Sequence, residues 1–475
     1  MKLLLSVNLL VITLLTGCAM GPDYKRPALV TPAQFKENWL ATSTLVMPVP
    51  QAWWLIFNDT TLNMLEARIA LNNQSLRAAF YTYDQAYALT DAARAMEYPT
   101  LGASVSSTKT SSGGISNTTG AVTTTQVSGK TVSLTASWIP DFWGKVRRQI
   151  ESNQASSEAS LETLHSAQLS LQSTLAQDYF LIRQLDSQIV LAQETTAAYQ
   201  KNLKITQNRY EAGVVTQADV ALADSQLANA RVQQLTFTIQ RAQLEHAIAV
   251  LTGDTPANFN LPAMPELAQP QMIPAGLPSQ LLLRRPDLRA AERQVAAANA
   301  LIGVAKSAYF PALTLSGSRG WRSPTFTNLL SAPNIFWSMG PSVAETLFDG
   351  GARSAAVAQS QGSYQLAVAQ YRQLGLTALQ QVEDQLVALR VLSVEASLQQ
   401  QAVASSDKSL RLTTDQYKAG TVSYQNVVTA QTNAYTTKNA ALLITGQRYI
   451  ASIALIQALG GGWNDNPALG EDVKP

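Results

Sequence analysis

RYEAGVVTQADV, Arg209 to Val220, decides the fold. It lies inside a proline-free run, Gly144 to Thr255, and has a near-copy in QYKAGTVSYQNV, Gln416 to Val427. Tyr210 and Tyr417, Ala212 and Ala419, Gly213 and Gly420, Val215 and Val422, Val220 and Val427 match in one register. Each copy reads as a stop and restart between two long helices. Glycine ends a helix at low cost because it adopts the left-handed conformation. Thr216 and Ser423 then stand at N-cap positions, with Asp219 and Asn426 three residues on as candidate capping-box partners. The chain is organised twice over around the tip of a helical hairpin.

Outward from the first tip, a helical period holds over 145–208, where Leu164, Leu171, Leu175, Ile182, Leu185, Ile189, Ala192, Tyr199 and Leu203 keep three- and four-residue spacing. At 1.5 Å per residue this is a rod of ~100 Å, and the helix after the tip, 216–251, adds ~55 Å. A linker over 253–278 carries Pro256, Pro262, Pro265, Pro270, Pro274 and Pro278, and then the pattern restarts. Leu76-Arg77-Ala78-Ala79 returns as Leu288-Arg289-Ala290-Ala291, and Gly144 to Arg147 returns as Gly350 to Arg353. The first repeat spans 58–252 and the second 279–462. In the second, the rod covers 352–416, the tip 417–423 and the last helix 423–459; a tail follows at 463–475. The first tip covers 209–216. A helix starting near Thr60, capped by Asp59 or Thr60, is expected to bend at Asn72-Asn73 and stop before Pro99.

Each rod is preceded by a strand pair. YPTLGASVSS from Tyr98 is echoed by FPALTLSGSR from Phe310, which places hairpins at 101–139 and 313–347. In the first, strands at 101–110 and 127–139 flank a Ser/Thr/Gly-rich loop, 111–126. Val132, Leu134, Ala136 and Trp138 alternate with Thr131, Ser133, Thr135 and Ser137. One greasy and one hydroxyl-rich face suit a wall between lipid and water, with Trp138 and Trp143 placed for an interfacial girdle. No later apolar run is long enough to span a bilayer as a helix, so a membrane crossing has to be a β-barrel. Four strands are fewer than the roughly eight of the smallest barrels, and an open sheet in lipid leaves unsatisfied edges. The barrel must be shared between chains.

The amino terminus carries Lys2, an apolar stretch Leu3 to Leu15, and then Leu15-Thr16-Gly17-Cys18. Cys18 is the only cysteine. This resembles a bacterial lipoprotein lipobox, which implies a signal peptide over 1–17 and a mature Cys18 bearing diacylglycerol and an N-acyl chain. Ala19, rather than aspartate, points to the outer membrane. The segment 18–57 is proline-rich and reads as an extended leader, with Trp39, Trp53 and Trp54 as packing anchors.

A net charge of +2 with only 14% charged residues leaves no footprint for nucleic acid. His165 and His246 fall mid-helix, without metal-ligand spacing, nucleophile elbow or phosphate loop, so no catalytic residue, metal site or soluble cofactor is expected.

Several motifs resemble the TolC-like outer-membrane factors of the NodT lipoprotein type. They are GCAMGPDYKRP (Gly17 to Pro27), WWLIFND (Trp53 to Asp59), GLPSQLLLRRPDL (Gly276 to Leu288), AYFPALTLSG (Ala308 to Gly317), FDGGARS (Phe348 to Ser354), both tips, and ALGGGW (Ala458 to Trp463). The resemblance implies a mainly α fold with a membrane β portion. It further implies a homotrimer with a twelve-stranded barrel continued by a twelve-helix tunnel, joined to a periplasmic adaptor and an inner-membrane efflux transporter. Drugs or other small toxic compounds would pass through it. A channel for secreted proteins and a non-conducting envelope lipoprotein are the alternatives. Carboxylates beyond each tip line the gate in this family; the matching positions here are Asp219, Asp224, Asn426 and Thr429, so a double acidic ring is not kept. Asp219 also reads as the capping partner of Thr216. Gly213, Val214 and Val215, with Gly420, Thr421 and Val422, are the residues expected to turn each tip and meet the adaptor. Tyr210 and Tyr417 read as packing residues.

Overall fold

The computed structural model describes residues 19–29, 32, 35–37, 52–115, 120, 122–265, 268–270 and 284–462. The signal peptide, Cys18, Trp39 and the tail at 463–475 lie outside the described residues, as does much of the proline-rich linker.

Eleven longer elements follow in order: α1 (Thr60–Asn72), α2 (Gln74–Ala95), β1 (Thr100–Ile115), β2 (Val122–Trp138), α3 (Lys145–Glu211), α4 (Gln217–Leu251), α5 (Pro286–Ser307), β3 (Ala312–Ser323), β4 (Ile335–Ala344), α6 (Ala352–Lys418) and α7 (Tyr424–Ala458). The two rods, α3 and α6, are each continuous over 67 residues, and the helices after the tips each have 35. The duplication seen in the residues is thus a duplication of elements.

Three boundaries differ from expectation. The two flanks of the expected loop, 111–115 and 122–126, are strand, because the ladder between β1 and β2 extends from Thr110↔Val127 to Ile115↔Val122. Their serines and threonines have the composition of a loop, but main-chain pairing and β-branched threonines sustain the strands. β4 stops at Ala344, and Leu347 and Phe348 lie beyond it, 93% and 88% exposed. The bend at Asn72-Asn73 is a break. Asn73 Oδ1 accepts from Leu76 N at 2.8 Å, capping α2, while its Nδ2 donates to Leu251 O at 2.8 Å, tying the end of α4 to the same point.

The chain divides into two compact units. One contains the sheet, ordered β1-β2-β3-β4 and antiparallel throughout. Its alternation gives the sheet two different faces. Leu101, Val105, Leu134, Trp337, Met339 and Val343 stand on one face and are all exposed. The other face carries hydroxyls, including the cross-strand pairs Ser104–Ser133 and Ser318–Ser338, each 2.9 Å apart. The first described part of the leader, 19–27, lies in this unit too. Met20 N donates to Trp143 O at 3.2 Å, and Asn299 Nδ2 donates to Pro22 O at 2.9 Å. The buried Arg148 donates to Met20 O, Asp23 and Glu151. Trp143 stacks on Phe310 at 4.8 Å and donates Nε1 to Pro311 O at 2.8 Å. It is a packing post at the foot of the sheet, and of the two expected girdle residues only Trp138 keeps an exposed ring.

The second unit is helical. α1 buries Leu62, Leu65 and Ile69, and Trp53, in a short 3₁₀ turn over Trp53–Phe57, is 1% exposed. Asp59 caps α1, accepting from Thr61 N and Leu62 N, and also accepts from the Tyr179 hydroxyl at 2.5 Å. α7 is long and apolar enough to cross a membrane by length and composition, which the run of residues did not announce. Its Ile453, Leu455 and Ile456 are fully buried in the chain, so it behaves as a core helix.

Candidate functional site at the helical tips

Both tips close by the same backbone device. At the first, Gly213 N donates to Tyr210 O and Val214 N to Arg209 O, each at 2.9 Å; at the second, Gly420 N donates to Tyr417 O and Thr421 N to Gln416 O, each at 3.0 Å. This pairing satisfies the last carbonyls of each rod and requires a left-handed residue. Gly213 and Gly420 supply it, at φ +71° and +78°, with no atom within 4 Å of a Cβ placed there. The conformation, not crowding, demands glycine at both positions.

The restarts differ. Thr216 Oγ1 accepts from Asp219 N at 3.3 Å while Asp219 Oδ2 accepts from Thr216 N at 2.9 Å, a complete capping box. Asp219 is therefore half-buried in its own turn, and the cap accounts for it locally at about 0.5–2 kcal/mol. Ser423 makes no side-chain cap, and Asn426 stands exposed. Thr429 turns its hydroxyl back to Gln425 O at 3.0 Å, and Asp224 is exposed. Among the described residues no hydrogen bond or ion pair links these four candidate gate residues within one chain.

What joins the tips is a small core beneath them. Ala223, Tyr417, Tyr424, Val427 and Val428 are buried together, with Leu203, Leu222 and Val422 packed against them. Burial, foremost, pushes the Tyr424 hydroxyl up to about 12, with the neighbouring Tyr417 adding to it, so Tyr424 is neutral at physiological pH. Tyr417 is the packing residue expected; Tyr210, its counterpart, is 44% exposed. Val214 and Thr421 project outward, and Val215 and Val422 are half-buried.

One residue of this site was not singled out by the repeat. Arg209 Nη1 donates to Tyr417 O at 2.9 Å, and its guanidinium lies 4.5 Å from the centre of the Tyr417 ring. A cation on the last carbonyls of a helix is favoured by the helix dipole as well as by the hydrogen bond. Arg209 of the first tip thus clasps the end of the second rod. Its partner position in the repeat is Gln416, so the clasp runs one way. That mismatch between the copies was the available signal.

Comparison with known proteins agrees with this duplicated architecture. The family model described as "Outer membrane efflux protein" matches residues 67–254 and 277–461, one segment for each repeat. The "Probable efflux pump outer membrane protein TtgC" of Pseudomonas putida is 29% identical over 95% of this chain and 94% of its own length. The "Cation efflux system protein CusC" of Escherichia coli is 30% identical, covering 94% of this chain and 96% of its own. Among solved structures, the outer-membrane channel OprN superposes with a TM-score of 0.86 at 27% identity, over 94% of this chain and all of that one. With both repeats matched across nearly the full length, the chain belongs to the outer membrane efflux protein family.

Proposed function

We propose that three copies of this chain form the outer-membrane exit duct of a tripartite efflux system. The observation that carries this is the open sheet. β1 and β4 are its two edges, and one face carries a band of largely exposed apolar side chains contributed by all four strands. In lipid, unpaired edges cost several kcal/mol per polar group, so edges of this kind call for other copies to close the ring. Three copies supply twelve strands, above the roughly eight a barrel needs. The hydroxyl face then lines the lumen, and α3, α4, α6 and α7 supply the periplasmic tunnel. The helical tips meet an adaptor through Gly213 to Val215 and Gly420 to Val422, and an inner-membrane transporter feeds the duct. Small toxic compounds are the cargo that fits relatives named for efflux of toluene, solvents and cations. Asp219, Asp224, Asn426 and Thr429 face the narrowest ring in this arrangement.

Cys18 lipidation belongs to the same reading. Ala19 packs against Gly144, close to the point where α3 begins and a few residues beyond the end of β2. A lipid on the preceding residue would enter the bilayer beside the foot of the barrel. Intact-mass measurement of the mature protein is expected to show a triacylated N-terminal cysteine; an unmodified Cys18 ends this claim.

The test of the duct is conductance. Purified protein in a planar bilayer should behave as a trimer and a mostly closed pore, whereas a monomeric, non-conducting species refutes the reading. Arg209 gives it a mechanism. A hydrogen bond from a charged group is worth about 1.5–3 kcal/mol, enough to move a closed–open balance by about tenfold. Arg209→Ala is expected to raise open probability by that order. Tyr417→Phe should leave it unchanged, because Arg209 bonds the Tyr417 main chain and the buried Tyr417 hydroxyl has no hydrogen-bond partner among the described residues.

A further inference from the structure

The membrane hairpins carry an unusual charge pattern. Between Tyr98 and Pro140, and again between Tyr309 and Ala344, the charged residues are Lys109, Lys130, Arg319 and Arg322, with no aspartate or glutamate. A wall that merely met water at its rim would be expected to mix signs, as the rest of the chain does.

The register places three of these cations on the apolar face. Arg319 stands in a transverse row with Leu134 and Trp337. The next row outward on that face is Val105, Val132, Trp321 and Ile335. Beyond it come Lys130, paired with Ser107 and Ser323, and then Lys109, paired with Ser128. The apolar band therefore ends where the lysines begin, at the end of the sheet away from the helices. Arg322 belongs to the alternate rows, on the hydroxyl face, where its guanidinium lies 5.0 Å from the Phe336 ring centre.

Arg319 is the anomaly. It is exposed within the outer part of the apolar band, and among the described residues no ion pair reaches it, Lys109 or Lys130. A cation on the lipid face of a barrel costs about 2–4 kcal/mol at mid-depth and about 0–1 near the interface, so its side chain has to turn outward to a polar partner. Lys130 is already held at that level, bonded to Ser107 Oγ and lying 4.9 Å from the Phe326 ring centre. With Trp321 and Trp337 beside them, the basic groups sit where indole rings favour the headgroup layer.

We propose that Lys109, Lys130 and Arg319 form a binding site for a phosphate-bearing lipid headgroup of the outer leaflet, on the outer rim of the barrel. The site rests on the barrel reading above, because it requires the apolar face to meet lipid. Charge complementarity selects the occupant. Three cations without a carboxylate fit a multiply phosphorylated glycolipid and offer nothing specific to a zwitterionic phospholipid. Each basic residue near an anionic membrane surface contributes favourably, and several together make the preference strong.

Native mass spectrometry of the purified trimer, titrated with lipid A or with phosphatidylcholine, tests this. Wild-type trimer is expected to retain lipid A preferentially, and K109Q/K130Q/R319Q to lower that retention about tenfold, on the order expected for losing several phosphate contacts. R322Q, on the opposite face, should retain it fully, and equimolar inorganic phosphate should not displace it. Equal retention by the triple variant, equal retention of phosphatidylcholine by wild type, loss in R322Q, or displacement by free phosphate each overturns the lipid site. The two readings fail differently. A conducting trimer without lipid preference refutes this site alone, whereas a monomer that does not conduct refutes the duct.

Discussion

Gly320→Val is expected to abolish assembly of the proposed trimer while the chain is still made and exported. A Cβ at Gly320 would lie 2.2 Å from Val132 O and 2.8 Å from Ser133 Cα, both main-chain atoms of the neighbouring strand. β2 and β3 are the two central strands, paired through nine residues of register, and this is the pairing that joins the two repeats in the sheet. Overpacking against a flexible side chain costs about 1–3 kcal/mol, but a backbone atom fixed in a ladder cannot yield. The pairing should open, leaving each hairpin with a new unsatisfied edge in lipid. Trimer surviving in detergent on a gel run without heating measures it, and at least about a tenfold loss is expected, the scale on which a few kcal/mol moves an equilibrium. Gly340→Ala is the control, since no atom lies within 4 Å of a Cβ there. Normal assembly of Gly320→Val would show that the strands separate or shift at no cost, contrary to the packing.

The second large effect is at Asp186, in the middle of α3. Its side chain is 1% exposed. Oδ2 accepts from Arg183 Nη1 at 3.0 Å and from Met264 N at 2.9 Å, and Oδ1 accepts from Arg241 Nε at 2.6 Å. The same two arginines donate to Pro262 O and Leu261 O, while Glu245 accepts from Leu261 N. One carboxylate thus holds α3, α4 and the start of the proline-rich linker. Such a chain segment has few backbone partners of its own, because proline lacks an N–H. Asp186→Ala would leave the buried Arg183 without a carboxylate partner among the described residues and Arg241 with Glu245 alone, and breaking a buried pair costs about 3–5 kcal/mol. The expected result is a lowered unfolding midpoint and new proteolytic cleavage in the linker. Lys418→Ala, which breaks a pair exposed by 63% on each side, should do neither. Unaltered stability in Asp186→Ala would mean that the linker is held by other contacts.

The sequence alone determined the duplication, the tips, the long helices and the two-faced strands. These are written in local patterns: left-handed glycines, a three-to-four spacing, a period of two, and repeated motifs such as Gly144 to Arg147 and Gly350 to Arg353. The family was legible for the same reason, since its motifs are spread through both repeats. Local patterns also misled where ladder pairing prevailed, as at 111–115 and 122–126, whose loop-like composition is drawn into strands.

Tertiary structure decided the rest, because those features depend on residues far apart in the chain. The clasp from Arg209 to the Tyr417 carbonyl joins positions 208 residues apart, and nothing local to either announces it. The residues placed Trp138 and Trp143 alike in an interfacial girdle, yet only packing could make Trp143 a post stacked on Phe310. Asp219 stood between cap and gate in the residues; the fold showed a closed capping box around it. Likewise Lys109, Lys130 and Arg319 are scattered through the sequence, and only the strand register sets them on one face. Periodicity fixes which way a side chain points along its own element, and packing alone fixes what it meets.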